Sequence, residues 1–148
     1  MLEIGTLKGE YKMNVTSIKK AKQLLEHQLE MLWSNPTLAS SIPPLMVWGP
    51  PGIGKSTFIK KTCEENDVGF IDVRLAQREP VDIRGLPVPR DDKEGIDWIV
   101  SSDWPRPGID GTPERGIILF DELTAADSTL QVAAYEFILD RRLGQLYK

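Results

Sequence analysis

Residues 48–58 read Trp48-Gly-Pro-Pro-Gly-Ile-Gly-Lys-Ser-Thr-Phe58. Glycine and proline interrupt any regular structure here. Leu45-Met-Val-Trp48 before the interruption is apolar, and Ser56–Glu65 after it carries Phe58, Ile59, Thr62 and Cys63 on one helical face. A buried strand, a glycine-rich loop and a helix are therefore expected in that order. Gly49-x-x-x-x-Gly54-Lys55-Ser56 has the spacing of a loop that wraps phosphate. Glycines let backbone N–H groups turn inward with no Cβ in the way. The following helix offers the positive end of its dipole. Lys55 can reach β- and γ-phosphates, and the Ser56 hydroxyl can ligate Mg²⁺. Gly49, Pro50, Pro51, Gly52, Ile53, Gly54, Lys55, Ser56 and Thr57 are thus the expected nucleotide-binding residues.

Hydrolysis needs a second element, an acid at the end of a strand. Ile117-Ile-Leu-Phe-Asp121-Glu122 supplies four apolar residues and then two carboxylates. Asp121 suits the Mg²⁺ shell, beside Ser56. Glu122 suits the polarisation of an attacking water, so Glu122 and Lys55 are the expected catalytic residues. A run of this kind is weak alone, because strands often end in an acid for solubility. Paired with the Lys55 loop it becomes specific.

The rest of the chain bounds these readings. It has 148 residues, 41% hydrophobic and 27% charged, which suits one globular domain. Net charge is −4 and basic residues cluster only in pairs such as Lys60-Lys61, so nucleic acid is not the expected partner. No apolar run reaches the ~20 residues of a membrane span. Cys63 is the single cysteine, which excludes an intrachain disulfide and fits a reduced, cytoplasmic setting. Cys63 reads as packed and inert, and His27 as solvated. No other cluster has metal-ligand spacing, so Mg²⁺ with ATP is the only metal implied.

Residues 1–15 read as loose or edge-like. Ile18, Ala21, Leu25, Leu29 and Leu32 share a face of a helix within residues 16–35, capped by Thr16 or Ser17 and stopped at Asn35-Pro36. Val68–Val73 reads as a second strand, which with the first strand and its helix makes a βαβ unit on a parallel sheet. Residues 76–115 hold six of the eleven prolines and read as an irregular insertion. Gly116–Phe120 is a third buried strand. Ser128–Leu143 is a helix with Leu130, Ala134, Phe137 and Ile138 on one face, ended by Gly144.

Gly49–Thr57, Asp72-Val-Arg-Leu-Ala-Gln with Asp82-Ile-Arg-Gly-Leu-Pro87, and Asp121-Glu-Leu-Thr-Ala-Ala with Gln131, Ala133 and Leu139–Gly144 resemble the AAA+ ATPases, most closely the MoxR-like and dynein-related branch. The resemblance covers roughly residues 40–144. It implies a P-loop NTPase fold, three αβα layers on a parallel sheet, of which 43–148 would be the first part. It also implies a ring of identical subunits that couples ATP turnover to remodelling of a protein partner. The family's strand order, five-one-four-three-two, would leave a gap between Leu45–Trp48 and Ile117–Phe120, because the fourth strand, sensor, arginine finger and lid follow later. Residues 84–110 fall where relatives project a hairpin toward the pore. Trp98, Ile99 and Trp104 are then either pore contacts or a small local core, and Pro87, Pro89, Pro105 and Pro107 would stiffen the hairpin. Arg141 and Arg142 read as helix-end cations rather than fingers. Two other functions stay open: a nucleotide-binding docking module without turnover, and a small-molecule kinase.

Overall fold

The computed structural model describes residues 2–6, 14–105 and 115–140. The chain divides into two compact units, Met1–Val68 and Gly69–Lys148.

The first unit contains strands β1 (Leu2–Thr6) and β2 (Asn14–Thr16), helix α1 (Ile18–Ser34), strand β3 (Leu45–Trp48) and helix α2 (Lys55–Glu65). Its sheet has the order β2-β1-β3, and both pairings are antiparallel. Residues 2–6 are therefore not loose. They form the central strand, with Glu3 opposite Trp48 and Thr6 opposite Leu45, and Leu2 is buried. Leu-Glu-Ile-Gly-Thr is too short and mixed to announce a strand. The backbone N–H and C=O groups of β3 need partners, however, and β1 supplies them. The expected strand at Leu45–Trp48 exists, but it is half-buried, and Trp48 is 48% exposed. Its sheet partner is β1 and the pairing is antiparallel, so among the described residues β3 does not lie in the parallel sheet expected of a βαβ unit. A local apolar run reveals that a strand exists and not which strand it pairs with.

Helix α1 follows its predicted pattern. Ser17 caps it, its Oγ accepting from the Lys20 N–H at 3.3 Å. Asn35 ends it and opens a short 3-10 turn over Pro36–Ser40. Ala21, Leu25 and Leu29 are buried, as are Phe58, Ile59, Thr62 and Cys63 of α2. These two apolar faces pack together. At their rim Lys22 pairs with Glu65, an exposed contact that adds little. Thr62 is fully buried and donates its hydroxyl to the Phe58 carbonyl at 2.8 Å, which removes the penalty of an unpaired buried oxygen. Cys63 is fully buried, and desolvation pushes its thiol up to about 11.

The second unit contains β4 (Gly69–Arg74), α3 (Pro80–Arg84), β5 (Leu86–Pro89), β6 (Ile96–Ile99), β7 (Gly116–Asp121) and α4 (Ser128–Asp140). β4 and β7 are parallel, in register from Gly69 opposite Gly116 to Arg74 opposite Asp121. The fold is thus mixed α/β with a two-stranded parallel sheet. β7 is half-buried rather than buried. The segment read as irregular is ordered in good part. Pro80 starts α3, where its missing N–H is harmless, and the Asp82 carboxylate accepts from the Glu79 N–H at 2.9 Å. β5 and β6 form an antiparallel hairpin. Pro87 and Pro89 are tolerated because a two-stranded ribbon has only edges. Ile99 is exposed and Trp98 half-buried on this hairpin. Pro107, Arg141, Arg142, Leu143 and Gly144 lie outside the described residues.

Trp104 joins a local core. Its ring stacks 5.3 Å from Phe137 and lies 6.3 Å from Phe120, while Phe120 and Phe137 meet edge-on at 5.3 Å. Its indole N–H donates to the Asp82 carbonyl at 2.8 Å. Three elements, α3, β7 and α4, are pinned by this one side chain. Trp104→Ala is expected to destabilise the protein by about 3–5 kcal/mol, in the range of aromatic-to-alanine core changes. Chemical denaturation followed by circular dichroism would read it, and a loss below about 1 kcal/mol would contradict this packing role. Cys63 supplies an alkaline test. The native thiol keeps its proton at pH values where the unfolded thiol, near 9, has lost it. Its contribution to stability is full below pH 9 and falls between 9 and 11. Iodoacetamide at pH 8 should label the folded chain slowly and the denatured chain fast, and Cys63→Ala should flatten the alkaline decline.

Candidate functional site

The predicted site residues form two constellations, one in each unit. In the first unit, residues 49–54 carry the chain from β3 into α2. Gly52 and Gly54 have φ of 80° and 86°. A Cβ on either would meet no atom within 4 Å. Backbone conformation, not crowding, therefore demands glycine here, since a left-handed L residue costs about 1–2 kcal/mol. Gly54 is the N-cap of α2 and no side chain caps that helix. The first intrahelical bond runs from the Phe58 N–H to the Gly54 carbonyl at 3.0 Å. The positive end of the dipole thus faces the loop without a carboxylate or hydroxyl cap neutralising it. Pro50, Pro51, Gly52 and Thr57 are exposed, whereas Gly49, Ile53, Gly54, Lys55 and Ser56 are half-buried.

Lys55 folds back over its own loop. Its ammonium donates to the Gly49 carbonyl at 2.8 Å and to the Pro50 carbonyl at 3.0 Å. The loop therefore holds a full positive charge at its mouth, beside an uncapped helix start. This chemistry fits an anion with several oxygens, and a polyphosphate in particular.

In the second unit, Asp121 ends β7 and Glu122 follows it with φ of 59°. A left-handed glutamate is unusual. Both peptide groups that flank its Cα are held. The Glu122 N–H donates to Asp121 Oδ1 at 2.9 Å. The Glu122 carbonyl accepts from the Ala125 and Ala126 N–H groups at 3.0 and 3.2 Å. Leu123 and Ala126 are buried, which roots the turn, while the Glu122 side chain is exposed. Asp127 then caps α4, its Oδ1 accepting from the Thr129 and Leu130 N–H groups at 2.8 and 3.0 Å. The turn presents one half-buried and one exposed carboxylate at a strand end.

Ser56 and Asp121 offer hard oxygen donors, the kind Mg²⁺ takes alongside phosphate and water. Among the described residues no group of three or more His, Cys, Asp and Glu side chains gathers to hold a metal. A small pocket opens elsewhere, between β4, α3 and Trp104 beside the 2.6 Å Arg78–Asp103 ion pair. It has room for water and not for a nucleotide. Sequence reasoning missed the Asp127 cap, although Asp-Ser-Thr before an apolar run is a helix-start signal. It also missed the left-handed backbone of Glu122, for which no local residue pattern exists.

Comparison with protein-family models, with curated proteins and with solved structures finds no match to the chain.

The backbone of Glu122 generates a test that needs no ligand. Glu122→Gly should raise stability by about 1 kcal/mol, because glycine adopts this φ freely. Thermal unfolding should shift upward by about 2–4 °C. A melting temperature at or below that of Glu122→Ala would show that the residue is not strained.

Proposed function

We propose that the chain binds ATP with Mg²⁺ and hydrolyses it, in the manner of the MoxR-like AAA+ ATPases. The fold proposed with it is the three-layered P-loop NTPase architecture, to which the two-stranded parallel sheet would contribute. The observation that carries the reading is the Gly49–Ser56 loop. Its phosphate-binding sequence pattern coincides with two left-handed glycines, an uncapped helix start and a lysine ammonium on the loop. A cytoplasmic ring of copies acting on a protein partner is the setting the family resemblance suggests.

In this reading the triphosphate lies on the N–H groups of the loop and the first turn of α2. The Lys55 ammonium turns from the Gly49 and Pro50 carbonyls toward the β- and γ-phosphate oxygens. Ser56 and Asp121 would hold Mg²⁺, which supplies positive charge to the transferring group. Glu122 orients a water and receives its proton as the water oxygen attacks the γ-phosphorus. The bond from that phosphorus to the β–γ bridging oxygen breaks, and ADP leaves with the electron pair. No acceptor other than water is required, which separates the reading from a kinase.

Calorimetric titration with Mg-ATP tests it, alongside phosphate release. Lys55→Ala should lose binding. Glu122→Gln should keep binding and lose turnover by about 10²–10⁴, the usual contribution of a general base. No binding by the wild-type chain, or equal binding by Lys55→Ala, would overturn the nucleotide site. Equal turnover in wild type and Glu122→Gln would remove Glu122 as the base, and binding without any turnover would leave a docking module.

A further inference from the structure

The carboxylate assigned to water activation is exposed, and the backbone that carries it sets the direction in which it leaves the turn. That backbone depends on a residue with no role so far. The Gln131 side-chain amide donates from Nε2 to the Ala126 carbonyl at 2.9 Å. Ala126 is buried, and its own N–H donates to the Glu122 carbonyl at 3.2 Å. A continuous path therefore runs from α4 through Gln131 and the Ala126 residue to the peptide that follows Glu122. On the other side, Asp121 Oδ1 holds the peptide that precedes Glu122.

The base of this path is firm. Gln131 sits in the first turn of α4, and its own N–H donates to the Asp127 carbonyl at 3.0 Å. Leu130, Ala133 and Ala134 around it are buried. One turn or two further on, Phe137 stacks against Trp104. Ala126 precedes the Asp127 cap and lies outside α4, which leaves its carbonyl a place for a donor. Gln131 fills that place from the side. Without it the carbonyl would turn toward water and loosen Ala126, whose N–H makes one of the three hydrogen bonds on the left-handed glutamate.

We infer that Gln131 is a positioning residue for ATP hydrolysis, which holds the Asp121–Ala126 turn so that the Glu122 carboxylate keeps its aim. This rests on the proposed ATPase reading. Gln131 touches neither nucleotide nor water in this assignment, so its loss should be read in turnover and not in binding.

The experiment is a double-mutant cycle on the full chain, with the ATP dissociation constant measured separately from kcat. Gln131→Met keeps the length and removes the donor, and Gln131→Glu keeps the shape and offers only acceptors. Each should bind Mg-ATP within about twofold of wild type. Each should lower kcat on the order of tenfold, a part of the 10²–10⁴ that a general base contributes. In the Glu122→Gln background the same changes should cost no further turnover, because the group being aimed is already gone. A merely structural role for Gln131 would instead multiply with Glu122→Gln, and such multiplication overturns the inference. So does a kcat within twofold of wild type in either variant, provided wild type binds and hydrolyses ATP. If one variant does not fold, the other carries the cycle. Wild type that neither binds nor hydrolyses ATP overturns the ATPase reading itself, and the inference falls with it.

Discussion

Two parallel strands cannot be joined by a tight turn, and the second unit is organised by that constraint. β4 and β7 pair in parallel over six residues each. The chain leaves β4 at Arg74 and returns only at Gly116. The described part of this crossover builds α3, the β5–β6 hairpin and the Trp104 loop. That stretch is fastened rather than left free. Arg78 pairs with Asp103 at 2.6 Å, and Trp104 bonds the Asp82 carbonyl while packing on Phe120 and Phe137. Phe120 is the residue before Asp121. The same aromatic contact that seals the crossover therefore anchors the strand end from which the two carboxylates project.

Left-handed backbone is used in opposite ways by the two constellations. At Gly52 and Gly54 it is free of steric penalty, and it makes the loop between β3 and α2 possible without strain. At Glu122 it costs about 1–2 kcal/mol, and three hydrogen bonds hold it in place. A sequence optimised for stability alone would place glycine or asparagine at 122. A side chain kept where it is strained, exposed and acidic is better explained by its chemistry than by its packing. The proposed role of Glu122 is inferred from the observed conformation to the chemistry, and not the reverse.

The sequence made some parts legible because their cause is local. α1 was readable from its apolar spacing and from Ser17 and Asn35, and α2 from Phe58, Ile59, Thr62 and Cys63. The glycine loop was readable because the turn itself needs left-handed residues where the sequence places Gly52 and Gly54. What was hidden is non-local. β1 becomes a strand through its pairing with β3, and nothing within Leu-Glu-Ile-Gly-Thr requires it. The β5–β6 hairpin contains prolines, which argue against strands in general and are harmless in a ribbon of two edges. Trp104 left two readings open until Phe120 and Phe137 were found against it. The Gln131 bond to Ala126 spans five residues across a turn and a helix cap, a geometry that no simple helical spacing encodes.

The lysine of the loop shows why that half can be stable before any anion arrives. An ammonium has three donors and no acceptor. Two of them already meet the Gly49 and Pro50 carbonyls. A charged group left unpaired in a half-buried loop would be expensive, and here it is satisfied by the backbone that it must later help to arrange. On the proposed reading a phosphate would compete with two carbonyls whose bonds to the ammonium are already charge-assisted. The exchange therefore favours the ligand by a difference, not by the full strength of a new ion pair. An arginine would carry the same charge, but its planar, five-donor fork has a fixed geometry. The compact ammonium on a four-carbon stem can hold the loop closed on itself and still turn outward, which on the proposed reading favours lysine over arginine at this position.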